Sequence, residues 1–170
     1  MSQSLLIADA CVIMDHGYIG GLKWLTQLGR VEVLDVVLAE CHHQKQPGLV
    51  EEAKAAGIIE VEAADQYVMQ AATCPYLELS PVDSLLLYYS KGEHRTLLTN
   101  EDPMRRACGT EGVEVHGTLW LIRQYFDKSI VDNHKLCAAL DELLTQDRRT
   151  PIKLVNELRE LMGCKKPRKA

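Results

Sequence analysis

Short apolar runs alternate with amphipathic stretches along most of this chain, and that alternation restricts its fold more than any other feature. The run Leu5-Leu6-Ile7-Ala8 ends in Asp9 and is followed by a second apolar stretch, Cys11-Val12-Ile13-Met14. A strand buried on both faces reads this way, apolar until a charge at its carboxyl end. Residues 31–37, 58–61, 95–99 and 113–115 have strand character as well. Helices are expected between and after them, over 20–29 (closed by Gly29), from Leu38-Ala39-Glu40-Cys41 onward, over 48–56, near 65–72, after Ser80, and over 102–108, 117–127, 133–145 and 150–162. Strands alternating with helices predict a three-layer α/β/α sandwich around a central, mostly parallel sheet.

With 170 residues and 46% hydrophobic content the chain can bury a substantial core. A main domain over 1–145 is expected, with a C-terminal helix and short basic tail over 146–170. That tail, Lys165-Lys166-Pro167-Arg168-Lys169, has the composition of a disordered terminus. Six cysteines, at 11, 41, 74, 108, 137 and 164, show neither CxxC spacing nor scaffold density, which predicts a reduced, cytoplasmic setting. The opening Met1-Ser2-Gln3-Ser4 lacks the basic residues of a signal peptide, and no run reaches the ~18 apolar residues of a membrane span, so a soluble protein is expected. A net charge of −5 argues against coating nucleic acid through a broadly basic surface. It does not exclude a nuclease, because divalent ions turn an acidic site locally positive.

Acidic residues stand where strands end or helices begin: Asp9, Glu40, Asp83 and the pair Glu101-Asp102. In open α/β sheets, ligands gather outside the carboxyl ends of the strands where strand order reverses. Asp9 is expected to end the first strand and Glu40 to open the helix after the second. Asp83 is expected in the first turn of the helix before the fourth strand, and Glu101-Asp102 just past that strand. With the first and fourth strands adjacent, all of them would converge on one edge. Each has a plain structural account too. Asp9 can cap a helix, Asp83 can complete a capping box opened by Ser80-Pro81, Glu40 can sit on a solvated face, and Glu101-Asp102 can favour a helix N-terminus. Jointly they predict a site that needs a cation, since gathered carboxylates repel and Mg²⁺ or Mn²⁺ prefers oxygen ligands. Such ions support phosphodiester hydrolysis by polarising the phosphoryl oxygen and stabilising the leaving oxygen.

Four stretches together resemble the PIN domain nucleases, and within them the single-domain toxins of bacterial toxin-antitoxin pairs. They are Leu6-Ile7-Ala8-Asp9-Ala10-Cys11-Val12-Ile13, Leu38-Ala39-Glu40-Cys41, Leu79-Ser80-Pro81-Val82-Asp83 with Leu85, Leu86 and Leu87, and Leu97-Leu98-Thr99-Asn100-Glu101-Asp102-Pro103-Met104-Arg105-Arg106-Ala107. The last continues into Gly112-Val113-Glu114-Val115-His116-Gly117-Thr118-Leu119, and the resemblance spans roughly residues 4–145. It implies a Mg²⁺- or Mn²⁺-dependent endoribonuclease whose cut leaves a 5′-phosphate. It assigns Asp9, Glu40 and Asp83 to the metal site, with Glu101 or Asp102 completing it. Thr99 and Asn100 would orient a water or phosphate, and Arg105 and Arg106 would meet the RNA backbone. A cognate antitoxin that plugs the acidic pocket with an arginine, and a homodimer, are implied as partners. The chain departs from the family at Glu101, where an aspartate is usual. An impaired metal site on a fold that works as a protein-binding module is therefore the alternative.

Other groupings carry less. Cys41-His42-His43 lacks a second ligand pair at workable spacing for zinc. Gly17-Tyr18-Ile19-Gly20-Gly21 is not GxGxxG and lies far beyond the strand. Cys11 and Cys108 read as core thiols, and His116, before Gly117, needs no catalytic role. A phosphatase with a nucleophilic aspartate would need a second acid two residues on, where this chain has Cys11.

Overall fold

The computed structural model describes residues 3–42, 46–146 and 150–165. Within them, β1 (Ser4–Ala8), β2 (Gly29–Leu34), β3 (Ile59–Val61), β4 (Thr96–Leu98) and β5 (Val115–His116) form one sheet in the order β3-β2-β1-β4-β5. Every pairing is parallel. The helices are α1 (Ala10–Tyr18), α2 (Leu22–Leu25), α3 (Asp35–Glu40), α4 (Leu49–Ala55), α5 (Asp65–Ala72), α6 (Pro81–Gly92), α7 (Asp102–Glu111), α8 (Thr118–Asp127), α9 (Asn133–Thr145) and α10 (Ile152–Leu161). The result is the three-layer α/β/α sandwich. The chain enters at the central strand, winds outward through β2 and β3, then returns to build β4 and β5 on the other side. Strand order therefore reverses between β1 and β4, and their carboxyl ends border the crevice such sheets use for ligands.

The central strands are apolar on both faces because helices cover both: Ile7, Ala8, Leu97 and Leu98 are fully buried. On the helices, α5 packs on α6 and α6 on α7, while α1 packs on α2, α4 and α9. α8 and α10 pack against α9 and against each other. No described helix is long and apolar enough to cross a membrane.

Several boundaries differ from the sequence expectation. Strand character was expected to run to Val37, yet β2 stops at Leu34. There the Asp35 carboxylate accepts the Val36 N–H at 2.8 Å, a local bond that diverts the backbone into a helix. Glu40 is consequently the last residue of α3, not a residue of its first turn. Gly29 opens β2 instead of closing a helix, and a Cβ there would collide with the Ser4 carbonyl of the paired strand. α7 continues past Cys108 until Gly112, whose φ of 70° ends it, so β5 begins only at Val115.

The cysteines also need a correction. Cys11, Cys41, Cys74 and Cys108 are free thiols, as a reduced chain requires, but Cys137 of α9 and Cys164 form a disulfide. Their Cα atoms are 5.6 Å apart although 27 residues separate them, because α10 folds back onto α9. Spacing in the sequence carries no trace of that return. The basic tail lies outside the described residues except for Lys165.

The start of α6 follows the sequence closely. Ser80 Oγ accepts the Asp83 N–H at 3.1 Å, and Asp83 Oδ2 accepts the Ser80 N–H at 3.2 Å, a reciprocal capping box with Pro81 at the first helical position. Ser80→Ala is expected to lower stability by ~1 kcal/mol, the usual cost of losing an N-cap, measured as a fall in the urea midpoint at unchanged slope.

Candidate active site

Asp9 lies immediately beyond β1, its N–H donating to the Leu98 carbonyl of β4 at 2.9 Å, so its position is fixed by the two strands that flank the crevice. It is 5% exposed. Oδ1 accepts the Ala10 N–H at 2.7 Å, and Oδ2 accepts the Thr99 hydroxyl at 2.8 Å and the Cys11 thiol at 3.4 Å. Burial raises its carboxyl above the ordinary 3.8; the Thr99 bond opposes this, and the charge of Asp83 adds to the rise. Asp9 is both an N-cap and the innermost acid of the crevice.

Glu40, at the end of α3, is exposed, and its carboxyl is raised above 4.5 by partial desolvation, then by the charges of Asp9 and Asp83. Asp83, half-buried in the first turn of α6, is thus felt at both other acids. From three separate elements, the charge of Asp83 therefore reaches Asp9, and those of Asp9 and Asp83 reach Glu40. Glu101, the N-cap residue of α7, and Asp102, in its first turn, are both exposed, and neither is among the charges that shift Asp9 or Glu40. As the side chains stand, no three His, Cys, Asp or Glu groups among the described residues are gathered closely enough to hold an ion. Asp9 spends both oxygens on hydrogen bonds and Asp83 spends one on its cap.

Thr99 is fully buried and joins the two sides of the crevice: its hydroxyl donates to Asp9 and accepts the Glu101 N–H at 3.2 Å. The Asn100 side chain bonds to α1 and α8. Its amide nitrogen donates to Asp15 Oδ2 at 2.7 Å, and its amide oxygen accepts the Thr118 N–H at 2.8 Å. The Thr118 hydroxyl also donates to Asp15 Oδ2, at 2.7 Å. Asp15, 5% exposed, is a residue that sequence reasoning passed over. A signal was present: Asp15 follows Cys11 by four, so both share one face of α1. Both meet Asn100 there, since the Cys11 sulfur accepts its backbone N–H at 3.4 Å.

Burial pushes the Cys41 thiol up to about 12, with Asp9 and Glu40 adding to it. His43, the third member of that grouping, lies outside the described residues. The two arginines differ. Arg106 pairs with Glu78 at 2.8 Å, whereas Arg105 is exposed, directs Nη1 toward the Thr99 carbonyl at 3.4 Å, and has no carboxylate at ion-pair distance among the described residues.

Comparison with known proteins agrees with this architecture. A family model described as a PIN domain matches residues 5–164, a stretch that takes in α10 and Cys164. No curated protein matches the sequence. Among solved structures, the crystal structure of PAE2754 from Pyrobaculum aerophilum superposes with a TM-score of 0.53 at 13% identity, covering 71% of this chain and 88% of that one. At that identity the likeness concerns the fold alone.

Proposed function

The chain belongs to the PIN domain family, whose members are generally nucleases that use divalent metals, and from that premise we propose that it is a metal-dependent endoribonuclease and the toxin of a toxin-antitoxin pair. One observation supports this most: at the sheet's point of reversal the charge of Asp83, at the start of α6, reaches Asp9 at the end of β1, and both reach Glu40 at the end of α3. The donor set fits Mg²⁺ or Mn²⁺, because all three are carboxylates and their repulsion is what a hard cation relieves. Glu101 or Asp102 would complete the site by turning inward from the start of α7. When bound, the ion supplies Lewis-acid polarisation of the phosphoryl oxygen and stabilises the leaving oxygen.

The remaining roles belong to this chain's own side chains. Thr99 holds Asp9 Oδ2 in place, so the carboxylate is oriented before any ligand arrives. Asp15, through Asn100 and Thr118, fixes the loop that carries Thr99 and Glu101. Arg105, without a carboxylate partner among the described residues, would take a backbone phosphate of the RNA, while Arg106 must first release Glu78. Asp83 has to loosen its bond to the Ser80 N–H to swing toward Asp9. A cytoplasmic setting, with an antitoxin whose arginine enters the acidic crevice and a homodimeric toxin, completes the proposal.

Incubation of the purified protein with RNA and Mn²⁺ tests it: 5′-phosphate products that EDTA abolishes are expected. Glu101, where an aspartate is usual in the family, and the lack of a ready-made cage among the described residues favour one other reading, a protein-binding module. Calorimetry separates the two, since a module takes up no Mn²⁺.

A further inference from the structure

Beside the acidic crevice lies a pair of stacked rings that none of the roles above employs. The His116 and Trp120 rings are 3.7 Å apart and 7° from parallel. The other ring pairs, His16–Tyr125, Trp24–Tyr125 and Tyr67–Tyr89, are edge-to-face with centroids 5.6–5.9 Å apart, the usual geometry of core aromatics. The parallel pair stands instead at the surface, with 24% of the His116 side chain exposed and Trp120 only partly buried. His116 Nε2 lies 2.9 Å from Glu114 Oε1, which holds the imidazole in its plane.

Its place in the sheet gives the pair a direction. His116 ends β5, and its carbonyl accepts the Thr99 N–H at 2.9 Å; the Thr99 hydroxyl in turn donates to Asp9. β1, β4 and β5 are successive strands, so the backbone of His116 is about 10 Å from that of Asp9 by ordinary strand spacing. Between them, at the end of β4, lies the guanidinium of Arg105, which donates to the Thr99 carbonyl and has no carboxylate partner among the described residues. Gly117 lets these groups crowd together: a Cβ there would stand 2.7 Å from Asn100 Oδ1 and 3.2 Å from Arg105 Nη1. From the crevice outward the edge therefore presents carboxylates, then the Arg105 cation, then a stacked aromatic pair.

We propose that the His116–Trp120 pair is a stacking platform for one unpaired base of a single-stranded nucleic acid, with Arg105 holding the phosphate between that base and the acidic crevice. The proposal rests on the nuclease reading and names the part of the substrate that the site grips. Single strands are bound in this way elsewhere, by a cation that tracks the backbone and aromatic faces that accept any base. An indole face is large enough to cover a purine, and the imidazole stacked behind it holds the indole in place.

The test is fluorescence anisotropy with a 5′-labelled hexa-adenylate, and with versions of it carrying one abasic site at each position in turn, in EDTA so that nothing is cut. Wild type is expected to bind the intact strand and to lose affinity at one abasic position. Trp120→Ala should bind the intact strand ~5- to 150-fold more weakly, the range that stacking of one base supplies, and should no longer distinguish the abasic strand. Trp120→Phe should restore most of the difference. Equal binding by wild type and Trp120→Ala overturns the platform, as does equal weakening toward intact and abasic strands, or no binding by wild type. The nuclease reading fails separately: if wild type takes up no Mn²⁺ and cuts no RNA, it falls whatever the anisotropy shows.

Discussion

Asp9→Asn will abolish the response of this protein to Mn²⁺ and reduce RNA cleavage by at least ~100-fold, since even partners that merely orient a metal ligand are worth ~10–100-fold. Wild type in Mn²⁺ at ~100 times its dissociation constant should gain ~2.7 kcal/mol, which for a domain of this size is a rise in Tm of ~5–10 °C. The variant should show no such rise and no heat of binding by calorimetry. Asp83→Asn should behave alike, because its charge acts on both other acids. A wild-type Tm that Mn²⁺ does not move would defeat the metal site.

The same substitution should do little harm to the metal-free fold, and the sign follows from linkage. Burial and Asp83 raise the Asp9 carboxyl above 3.8, and desolvation with Asp9 and Asp83 raises Glu40 above 4.5. An acid raised on folding contributes stability that is complete below its unfolded value and is lost as pH rises through the folded one. Charging either acid in the folded chain therefore carries a cost, so an uncharged amide at position 9, which keeps an acceptor for the Ala10 N–H, is expected to hold or raise the Tm in EDTA. Metal uptake reverses the balance, since the ion requires both carboxylates deprotonated. Mn²⁺ affinity should therefore weaken as pH falls toward the raised values, which titration calorimetry across that range would read.

Much of this site was legible because local chemistry and topology agree at particular residues. Leu5 to Ala8 could hardly be anything but an inner strand, so Asp9 had to lie at its carboxyl end. Ser80, Pro81 and Asp83 write out their own helix start. Glu40 was harder: the apolar run through Val37 hid the turn at Asp35, and the residue moved from the opening of a helix to its end. Asp15 was passed over because its partners, Asn100 and Thr118, lie 85 and 103 positions away. His116 reads as a turn residue until the return of α8 sets Trp120 against its ring. The Cys137–Cys164 pair depends in the same way on α10 folding back. What escaped the sequence is what only tertiary contact creates.

Glu32 belongs to that class, and it carries the largest expected effect on stability. It sits in β2 between β1 and β3, 2% exposed, where an unpaired carboxylate would be prohibitive. Arg95 supplies Nε to Oε2 at 2.9 Å and Nη2 to Oε1 at 3.2 Å. Arg30 adds Nε to Oε1 at 3.0 Å and the Tyr89 hydroxyl donates to Oε2 at 3.1 Å. Burial alone would raise this acid; the Arg95 and Arg30 hydrogen bonds outweigh it and hold it below 4.5. Its contribution is therefore present above the unfolded value and lost as pH falls through the folded one, opposite in sign to Asp9 and Glu40. Arg95→Met should cost ~3 kcal/mol, the lower end for breaking a buried pair, because Arg30 and Tyr89 remain. The Tm should fall by ~6–12 °C. Glu32→Leu combined with Arg95→Met should recover most of that loss, since apolar groups of similar volume often replace a buried pair without penalty. The double-mutant cycle gives the decision: if the double variant is no more stable than Arg95→Met alone, the cost lies in lost packing and not in a stranded charge.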